Sequence, residues 1–390
     1  MPAPSGLLRT RKEHEHSRVT FVELFFDLVF VFAVTQLSHN LIAHFTTRGL
    51  VETTLLFMAV WWVWIFTSWV TNWLDPERTP VRLMLFALML AGLVLSTSIP
   101  HAFADKGLAF AGAYVFMQVG RCLFTLWVLK DHSPGNYRNF QRITSWLALS
   151  GVFCIAGGLA HGEWRFALWL TAVAIEYISP AVYFWTPGLG RSTSADWDVE
   201  GAHMAERCGL FIIIALGESI LVTGAKFAEL PWTATTVGAF LAAFIGSVAM
   251  WWIYFNVGAE RASRHIAGSS DAGRVARLAY TYLHLPLVAG IVLAAVGDEL
   301  VLAHPAGHTD AKTAAVLIGA PAIYLVGNLT FKRATAISPA LSHMVGLVLL
   351  ALLVPFSAMV APLTFSAATT AVLVLVAAWE TLSLGAGHKA

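Results

Sequence analysis

The chain is a succession of long apolar segments separated by short breaks that are rich in glycine, proline and charge. A helix needs about 20 mostly apolar residues to cross the hydrocarbon core of a bilayer. The composition agrees, because 57% of the 390 residues are hydrophobic and 12% are charged, whereas soluble proteins carry about 25% charged residues. The sequence therefore predicts an integral membrane protein whose fold class is all-α, a polytopic bundle of transmembrane helices.

Segment length and punctuation locate the membrane spans, because a lipid-facing or buried helix is apolar all round and shows little periodicity. The predicted spans cover residues 20–44, 50–73, 80–99, 108–129, 143–160, 164–186, 204–225, 233–257, 276–297, 313–331, 338–360 and 363–384. With these twelve spans, most of the 24 Lys and Arg lie in segments on the same side as the N-terminus. The positive-inside rule then predicts a multi-pass protein of the inner (plasma) membrane with both termini in the cytoplasm.

Several landmarks recur in the same order in the two halves of the chain. Residues 61–66 in the second span match residues 251–255 in the eighth. The remaining pairs are Glu23 with Glu206, Arg82 with Arg277, Tyr114 with Tyr324, Arg121 with Asn328, and Glu176 with Glu380. This shared order predicts a duplication, with one six-helix repeat at residues 1–190 and the other at residues 191–390. An even number of helices in each repeat implies parallel halves related by an axis along the membrane normal.

Ionisable side chains inside the spans are the first functional candidates, because a charge there costs about 2.5–3.5 kcal/mol on insertion scales. The first span carries Glu23 and Asp27, followed by Gln36 and His39. Residues four apart lie on one face of a helix, and the N-terminus of a helix favours negative charge. The two carboxylates are therefore either an ion-binding pair or a structural feature of the helix start.

The seventh span offers Glu206 and Arg207 near the inner surface and Glu218 about twelve residues deeper. Glu218 is the strongest single candidate, because it lies too deep for its carboxylate to reach the headgroups. Arg121 lies in the middle of the fourth span and stays charged, so it needs an acidic partner. Glu218 and Glu176 are the candidates, in a structural ion pair or in a substrate clamp.

His284 lies near the middle of the ninth span and Glu299 lies at its outer end. A single membrane histidine serves as a hydrogen-bonded helix contact or as part of a proton relay. No ligand pair at helical spacing assigns a metal, although a site assembled from Asp27, Glu218 and His284 stays open. No cofactor motif or phosphate loop is present, and the scattered Lys and Arg argue against nucleic-acid binding.

Three motifs stand out along the chain, in residues 18–41, which include Glu23 and Asp27, in residues 206–218, and in residues 282–299. Together they resemble the bacterial low temperature requirement A (LtrA) family. The resemblance covers nearly the whole chain and implies a bacterial membrane protein with many spans. The family name links these proteins to growth in the cold, and the resemblance implies location and architecture more than activity.

The first span is also similar to the Phe-Ser-Asp first helix of endolysosomal and prokaryotic potassium channels, which use six-span repeats and line their pore with that helix. The similarity covers residues 23–35. Phe26 stands where those channels have the serine, and Phe21 stands where they have an arginine.

These observations support three hypotheses of function. The leading one is a secondary transporter or permeation protein that uses intramembrane carboxylates. The alternatives are a cation channel and an intramembrane enzyme acting on a lipid-soluble substrate. Of the three hypotheses, the sequence argues most against the enzyme. The expected partners are the lipid bilayer and a proton, cation or small-molecule substrate, and the sequence leaves the oligomeric state open, a homo-oligomer included.

The predicted orientation can be tested with two fusions to the C-terminus. Green fluorescent protein should fluoresce there, and alkaline phosphatase should be inactive because its disulfides do not form in the cytoplasm. An active phosphatase fusion with a dark fluorescent fusion would contradict the predicted orientation.

Overall fold

A computed structural model describes residues 5–9, 18–193, 200–256, 269, 272–335 and 341–387. Within these residues the chain forms twelve helices and no strands, and eleven of the helices are long and apolar enough to cross a membrane. The predicted fold class, an all-α polytopic membrane bundle of about twelve helices, is confirmed. Several charges of the predicted inner segments, among them Arg261 and Arg264, lie outside the described residues.

The helices are numbered in chain order. They are α1 Phe21–Ala43, α2 Thr47–Trp73, α3 Thr79–His101, α4 Gly107–Leu129, α5 Pro134–Leu159, α6 Gly162–Ile178, α7 Gly201–Ala228, α8 Ala234–Phe255, α9 Gly273–Ala303, α10 Ala311–Ala334, α11 Leu341–Met359 and α12 Pro362–Gly387. Helix α6 has 17 residues and is the helix outside the eleven.

The predicted sixth span is wrong at its end, because α6 ends at Ile178 and not near residue 186. Pro180 has no N–H to continue the helix and disfavours helical backbone in the residue before it. The chain then turns through Tyr183 and Phe184, which have φ values of 55° and 47°. The predicted fifth span also starts too late, since α5 begins at Pro134, a residue type suited to the first helical position.

Tertiary contacts divide the chain into two compact units, Met1–Arg207 with Asp271–Arg274 and Cys208–Ser270 with Val275–Ala390. In the first unit α1 packs against α2 and α3, α3 against α4, and α5 against α4 and α6. In the second unit α9 packs against α10, α8 against α12, and α11 against α10 and α12.

Helix α2 is the core of the first unit. Its central tryptophans Trp61, Trp62 and Trp64 are all buried, as is nearly every residue from Leu55 onward. A helix that is apolar on all sides is buried on all sides. The matching tryptophans of the predicted repeat, Trp251 and Trp252 in α8, are 43% and 41% exposed, so the two aligned segments occupy different environments.

Two glycines allow α9 and α10 to approach closely in the second unit. A Cβ added at Gly290 would lie 2.9 Å from the backbone nitrogen of Tyr324 and 3.0 Å from the carbonyl oxygen of Ala320. A Cβ added at Gly327 would lie 3.0 Å from the backbone nitrogen of Leu287. Small residues at membrane helix crossings let backbones touch in this way.

Asp310 fixes the start of α10. Its Oδ1 accepts hydrogen bonds from the backbone N–H groups of Lys312 and Thr313, each at 2.8 Å. These bonds satisfy two of the donors left open at a helix N-terminus. The bond from Thr313 above all holds the pKa of Asp310 below its ordinary value.

We expect Gly290→Ala to destabilise the protein by about 1–3 kcal/mol, because the new methyl group overpacks against backbone atoms that cannot move aside easily. Denaturant unfolding in detergent micelles, followed by tryptophan fluorescence, measures the change. The matched control is Gly319→Ala in α10, where nothing lies within 4 Å of the added Cβ. Equal stability of the two variants would contradict the close crossing of α9 and α10.

Candidate functional site

Buried polar groups gather around the first turns of α1 in the first unit. The Oε2 atom of Glu23 accepts hydrogen bonds from the backbone nitrogen of Thr20 at 2.9 Å and from the Thr20 hydroxyl at 3.0 Å. Glu23 therefore reaches back over the start of its own helix, as the acidic member of a capping box does. Glu23 thus has one of the two roles considered for it, that of a structural feature of the helix start.

The same carboxylate also meets cationic and imidazole groups. Arg9 Nη2 donates to Glu23 Oε2 at 2.9 Å, and His203 Nε2 lies 3.0 Å from Glu23 Oε1. Arg207 Nη1 lies 3.8 Å from Oε1, within ion-pair distance. Glu23, His203 and Arg207 are fully buried. One carboxylate thus serves as a helix cap and as the centre of a charged cluster.

Arg9 reaches this cluster because the segment before α1 pairs with the end of α2. The backbone N–H of Arg9 donates to the carbonyl of Trp73 at 2.8 Å, and the N–H of Asp75 donates to the carbonyl of Leu7 at 2.9 Å. The sequence places Arg9 in the polar segment before the first predicted span. No spacing or motif links a residue in a polar N-terminal segment to a carboxylate fourteen positions later.

Asp27 and Arg207 form the deeper ion pair of the first unit. Arg207 Nη2 donates to Asp27 Oδ1 at 2.8 Å and to the Ser68 hydroxyl at 3.1 Å. Trp64 Nε1 donates to the same Asp27 oxygen at 2.7 Å. Both charged side chains are 0% exposed. The guanidinium group of Arg207 is therefore buried among the helices of the first unit, where it pairs with Asp27.

The Asp27–Arg207 pair is only partly satisfied. Asp27 Oδ2 has no hydrogen-bond partner among the described residues, and neither do Arg207 Nε and Nη1. Buried polar atoms are nearly always hydrogen-bonded, to protein or to ordered water. One acceptor atom and two donor atoms of the pair are therefore left without a hydrogen bond among the described residues.

A second buried network surrounds Glu176 of α6. Tyr114 donates its hydroxyl hydrogen to Glu176 Oε2 at 2.5 Å, Gln118 Nε2 donates to the same oxygen at 2.8 Å, and Ser150 donates to Oε1 at 2.7 Å. Arg121 Nη2 in turn donates to Gln118 Oε1 at 2.6 Å. Gln118 thus stands between Arg121 and Glu176.

The expected direct acidic partner of Arg121 is not found among the described residues. A π-helical turn at Phe116–Gly120 carries Gln118 and immediately precedes Arg121, and such turns shift side chains from their α-helical positions. Arg121 Nη1 donates instead to the Thr67 hydroxyl at 2.8 Å and to the carbonyl of Val63 at 3.2 Å. Its charge is compensated by dipoles and, through Gln118, by Glu176.

The two networks meet on α2 at consecutive residues. Thr67 accepts from Arg121 and Ser68 accepts from Arg207. Trp64, one turn earlier, bonds Asp27. A row of buried polar groups therefore runs along α2 from the end near Arg9 toward Glu176.

Three predicted site residues lie outside this row. Gln36 is half-buried and His39 is exposed, both farther along α1. Glu206 is exposed and accepts a hydrogen bond from the backbone nitrogen of Val19 at 3.1 Å. Of the candidates in α1 and the start of α7, the structure brings together Glu23, Asp27 and Arg207.

His284 in the second unit is hydrogen-bonded through both ring nitrogens. Nε2 lies 2.8 Å from the hydroxyl of Tyr254, and Nδ1 lies 2.8 Å from the carbonyl of Ala279. Ala279 lies in the π-helical turn Arg277–Tyr282, shortly before His284 begins the following helical segment. The geometry is that of the helix contact considered for His284.

The sequence missed a charged cluster in the second unit. Lys332 Nζ donates to both oxygens of Glu380, at 2.6 and 2.8 Å. His343 Nδ1 lies 3.3 Å from Glu380 Oε1, and its Nε2 lies 3.0 Å from Asn328 Oδ1. Lys332 follows the predicted span 313–331 directly, and the structure buries it in the last turn of α10. The only available signal was the position of Glu380 as a landmark of the predicted repeat.

Two further candidates belong to the second unit. Glu218 is buried in α7, and Glu299 is half-buried in α9. Asp27 belongs to the first unit, whereas Glu218 and His284 belong to the second. Within the described ranges, no group of three or more His, Cys, Asp or Glu side chains could hold a metal ion.

We expect Asp27→Ala to destabilise the protein by about 3–5 kcal/mol, because it leaves the Arg207 cation buried without its partner. The double substitution Asp27→Leu with Arg207→Met should recover most of that loss, since neither charge then remains. Denaturant unfolding in micelles measures both. The control is Glu229→Ala, which removes an exposed ion pair with Lys226 and should cost less than about 1 kcal/mol. A double variant as unstable as Asp27→Ala would contradict the pairing.

Comparison with known proteins agrees with the motifs. The family model described as bacterial low temperature requirement A protein (LtrA) matches residues 18–378. An uncharacterised protein of Rhizobium meliloti (strain 1021) is 42% identical over 379 residues, which cover 96% of this chain and 92% of that protein. No solved structure matches. The chain therefore belongs to the bacterial low temperature requirement A family.

Proposed function

We propose that this chain is a secondary transporter or permeation protein of the inner membrane, with both termini cytoplasmic, whose intramembrane carboxylates bind the transported proton or cation. The observation that carries the proposal is the Asp27–Arg207 pair, which is fully buried and yet leaves one acceptor and two donors open. Glu23 belongs to the same site through its 3.8 Å approach to Arg207.

A contribution to folding stability does not by itself explain why these two charges are buried. Burying two charges costs several kcal/mol per ion, and replacing such a pair with apolar side chains is often neutral or stabilising. Ionisable groups within membrane spans are costly and are associated with ion and proton pathways. The incomplete hydrogen bonding of Asp27 and Arg207 adds to that cost, which favours a functional role for the pair.

The geometry suggests how binding couples to a change of state. Arg207 lies between two carboxylates, 2.8 Å from Asp27 and 3.8 Å from Glu23. A proton or a cation bound at Asp27 neutralises that carboxylate and weakens its hold on Arg207. The electrostatic attraction between the guanidinium group and Glu23 then favours movement of Arg207 toward Glu23. Release of the bound ion reverses the exchange.

Burial of the site favours a transporter over a channel. Asp27, Glu23 and Arg207 are 0% exposed, so solvent reaches none of them. A site closed to solvent is compatible with alternating access, in which parts of the protein rock around a fixed binding site. A conducting channel requires a continuous path for water and ions, and the fully buried pair offers no support for that alternative.

Similar clusters in the two units support the predicted duplication into residues 1–190 and 191–390. In the first unit, Glu176 of α6 is bound by side chains of α4 and α5. In the second, Glu380 of α12 contacts Lys332 of α10 and His343 of α11. The last helix of each set of six thus carries a buried carboxylate held by the two helices before it.

Proteoliposomes loaded with a pH-sensitive dye test the proposal. We expect proton or potassium flux in the native protein and a loss of about tenfold or more in Asp27→Asn, the factor given by about 1.4 kcal/mol of lost interaction. The control Glu229→Gln changes a carboxylate that is 71% exposed in a loop and should keep the native flux.

Other outcomes select among the alternatives. Equal flux in Asp27→Asn and the native protein would contradict the assignment of the site to α1. Unitary current steps under an applied voltage, recorded in a lipid bilayer, would indicate a cation channel. Absence of ion flux under every imposed gradient would favour the remaining hypothesis, an intramembrane enzyme acting on a lipid-soluble substrate.

A further inference from the structure

The second unit contains a cavity of about 40 Å³, mostly apolar with a few polar residues, where α8, α9, α10 and α12 meet. Its polar lining consists of Asp298 from α9 and three hydroxyl residues of α12, Ser366, Thr369 and Thr370. A single water needs about 10–15 Å³ of such volume. The cavity therefore has room for a few waters or for one partly dehydrated ion.

The carboxylate of Asp298 has no hydrogen-bond or ion-pair partner within the part of the chain that the structure describes. It lies five residues before the end of α9 at Ala303, roughly 7–8 Å along the helix axis. Apart from the three hydroxyl residues, the cavity lining around Asp298 is apolar, so an unpaired carboxylate is costly there. A bound positive charge would remove that cost.

The hydroxyl group of Ser366 is also unbonded among the described residues. Ser366 is buried, and its backbone carbonyl already accepts from the Thr369 hydroxyl at 3.0 Å. Serine hydroxyls in membrane helices usually donate to a carbonyl one turn earlier. An unused hydroxyl beside an unused carboxylate is a second, independent sign of a missing ligand.

Helix α10 supplies a further oxygen. Pro321 lies inside α10 and lines the cavity together with Leu317. Because proline has no N–H, the carbonyl of Leu317 lacks its ordinary helical donor. Such freed carbonyls in membrane helices are satisfied by nearby hydroxyls, waters or bound ions.

We propose that Asp298, the Ser366 hydroxyl and the Leu317 carbonyl form a binding site for a monovalent alkali cation such as sodium. All three are oxygen ligands, which hard cations prefer. One carboxylate neutralises one positive charge, whereas a divalent ion would leave a net charge buried in a medium of low dielectric constant. The site lies entirely within the second unit and does not depend on the function proposed for Asp27.

Equilibrium dialysis of the detergent-solubilised full chain against radiolabelled sodium tests this inference. The buffer is free of other sodium and contains choline as the bulk cation. We expect one saturable sodium ion per chain and loss of that ion in Asp298→Asn. Unlabelled lithium or potassium should displace the label, and calcium at the same concentration should not.

Two variants keep the test sharp. Ser366→Ala retains the carboxylate and should weaken sodium binding by about tenfold, the loss expected for one hydrogen-bonding ligand. Glu229→Gln, which removes an exposed carboxylate of the same unit, should bind sodium as the native protein does. Absence of saturable sodium in the native protein, undiminished binding in Asp298→Asn, or displacement by calcium would overturn the inference. Since the readout is binding and not flux, a failed transport assay leaves the result unaffected.

Discussion

A charge held in hydrocarbon must find its compensation inside the protein, and the Asp27–Arg207 ion pair is where the first unit meets this requirement. The pair joins α1 to the start of α7, and Trp64 and Ser68 attach both partners to α2. The charge of Glu23 is also compensated within the unit, because this carboxylate caps α1 and accepts a hydrogen bond from Arg9. These two charges therefore hold α1, α2 and the start of α7, up to Arg207, together.

Helix α2 can take this central place because its residue types serve two purposes. Its tryptophans fill the space between neighbouring helices, and Trp62 stacks on Tyr177 of α6 with ring centroids 4.1 Å apart. Its hydroxyl residues Thr67 and Ser68 present acceptors to two arginines in a medium where acceptors are scarce. An apolar helix with a few well-placed hydroxyls thus supports charges that it does not itself carry.

The buried carboxylates differ most in how completely they are satisfied. Both carboxylate oxygens of Glu176, and both of Glu380, accept hydrogen bonds. Such complete pairing suits a structural role in holding helices together. Asp27 is paired through one oxygen only, and Asp298 is unpaired within the described residues. Since an unmade hydrogen bond costs more than a made one gains, the incompletely satisfied carboxylates are the ones that a ligand would complete.

The sequence by itself determined the helical membrane fold, the approximate spans and most of the buried carboxylates, because hydrophobic length and the cost of intramembrane charge are properties of local segments. It placed Glu23 and Asp27 on one helix face, and both contact Arg207. Even the early end of α6 was present in the sequence, at Pro180. Only the tertiary structure decided that Arg9 and Arg207 turn inward, that Gln118 separates Arg121 from Glu176, and that Asp298 rather than its neighbour Glu299 lines the cavity. These outcomes depend on how each helix is rotated and shifted against its neighbours, and that is fixed by packing among residues far apart in the chain, which no local pattern records.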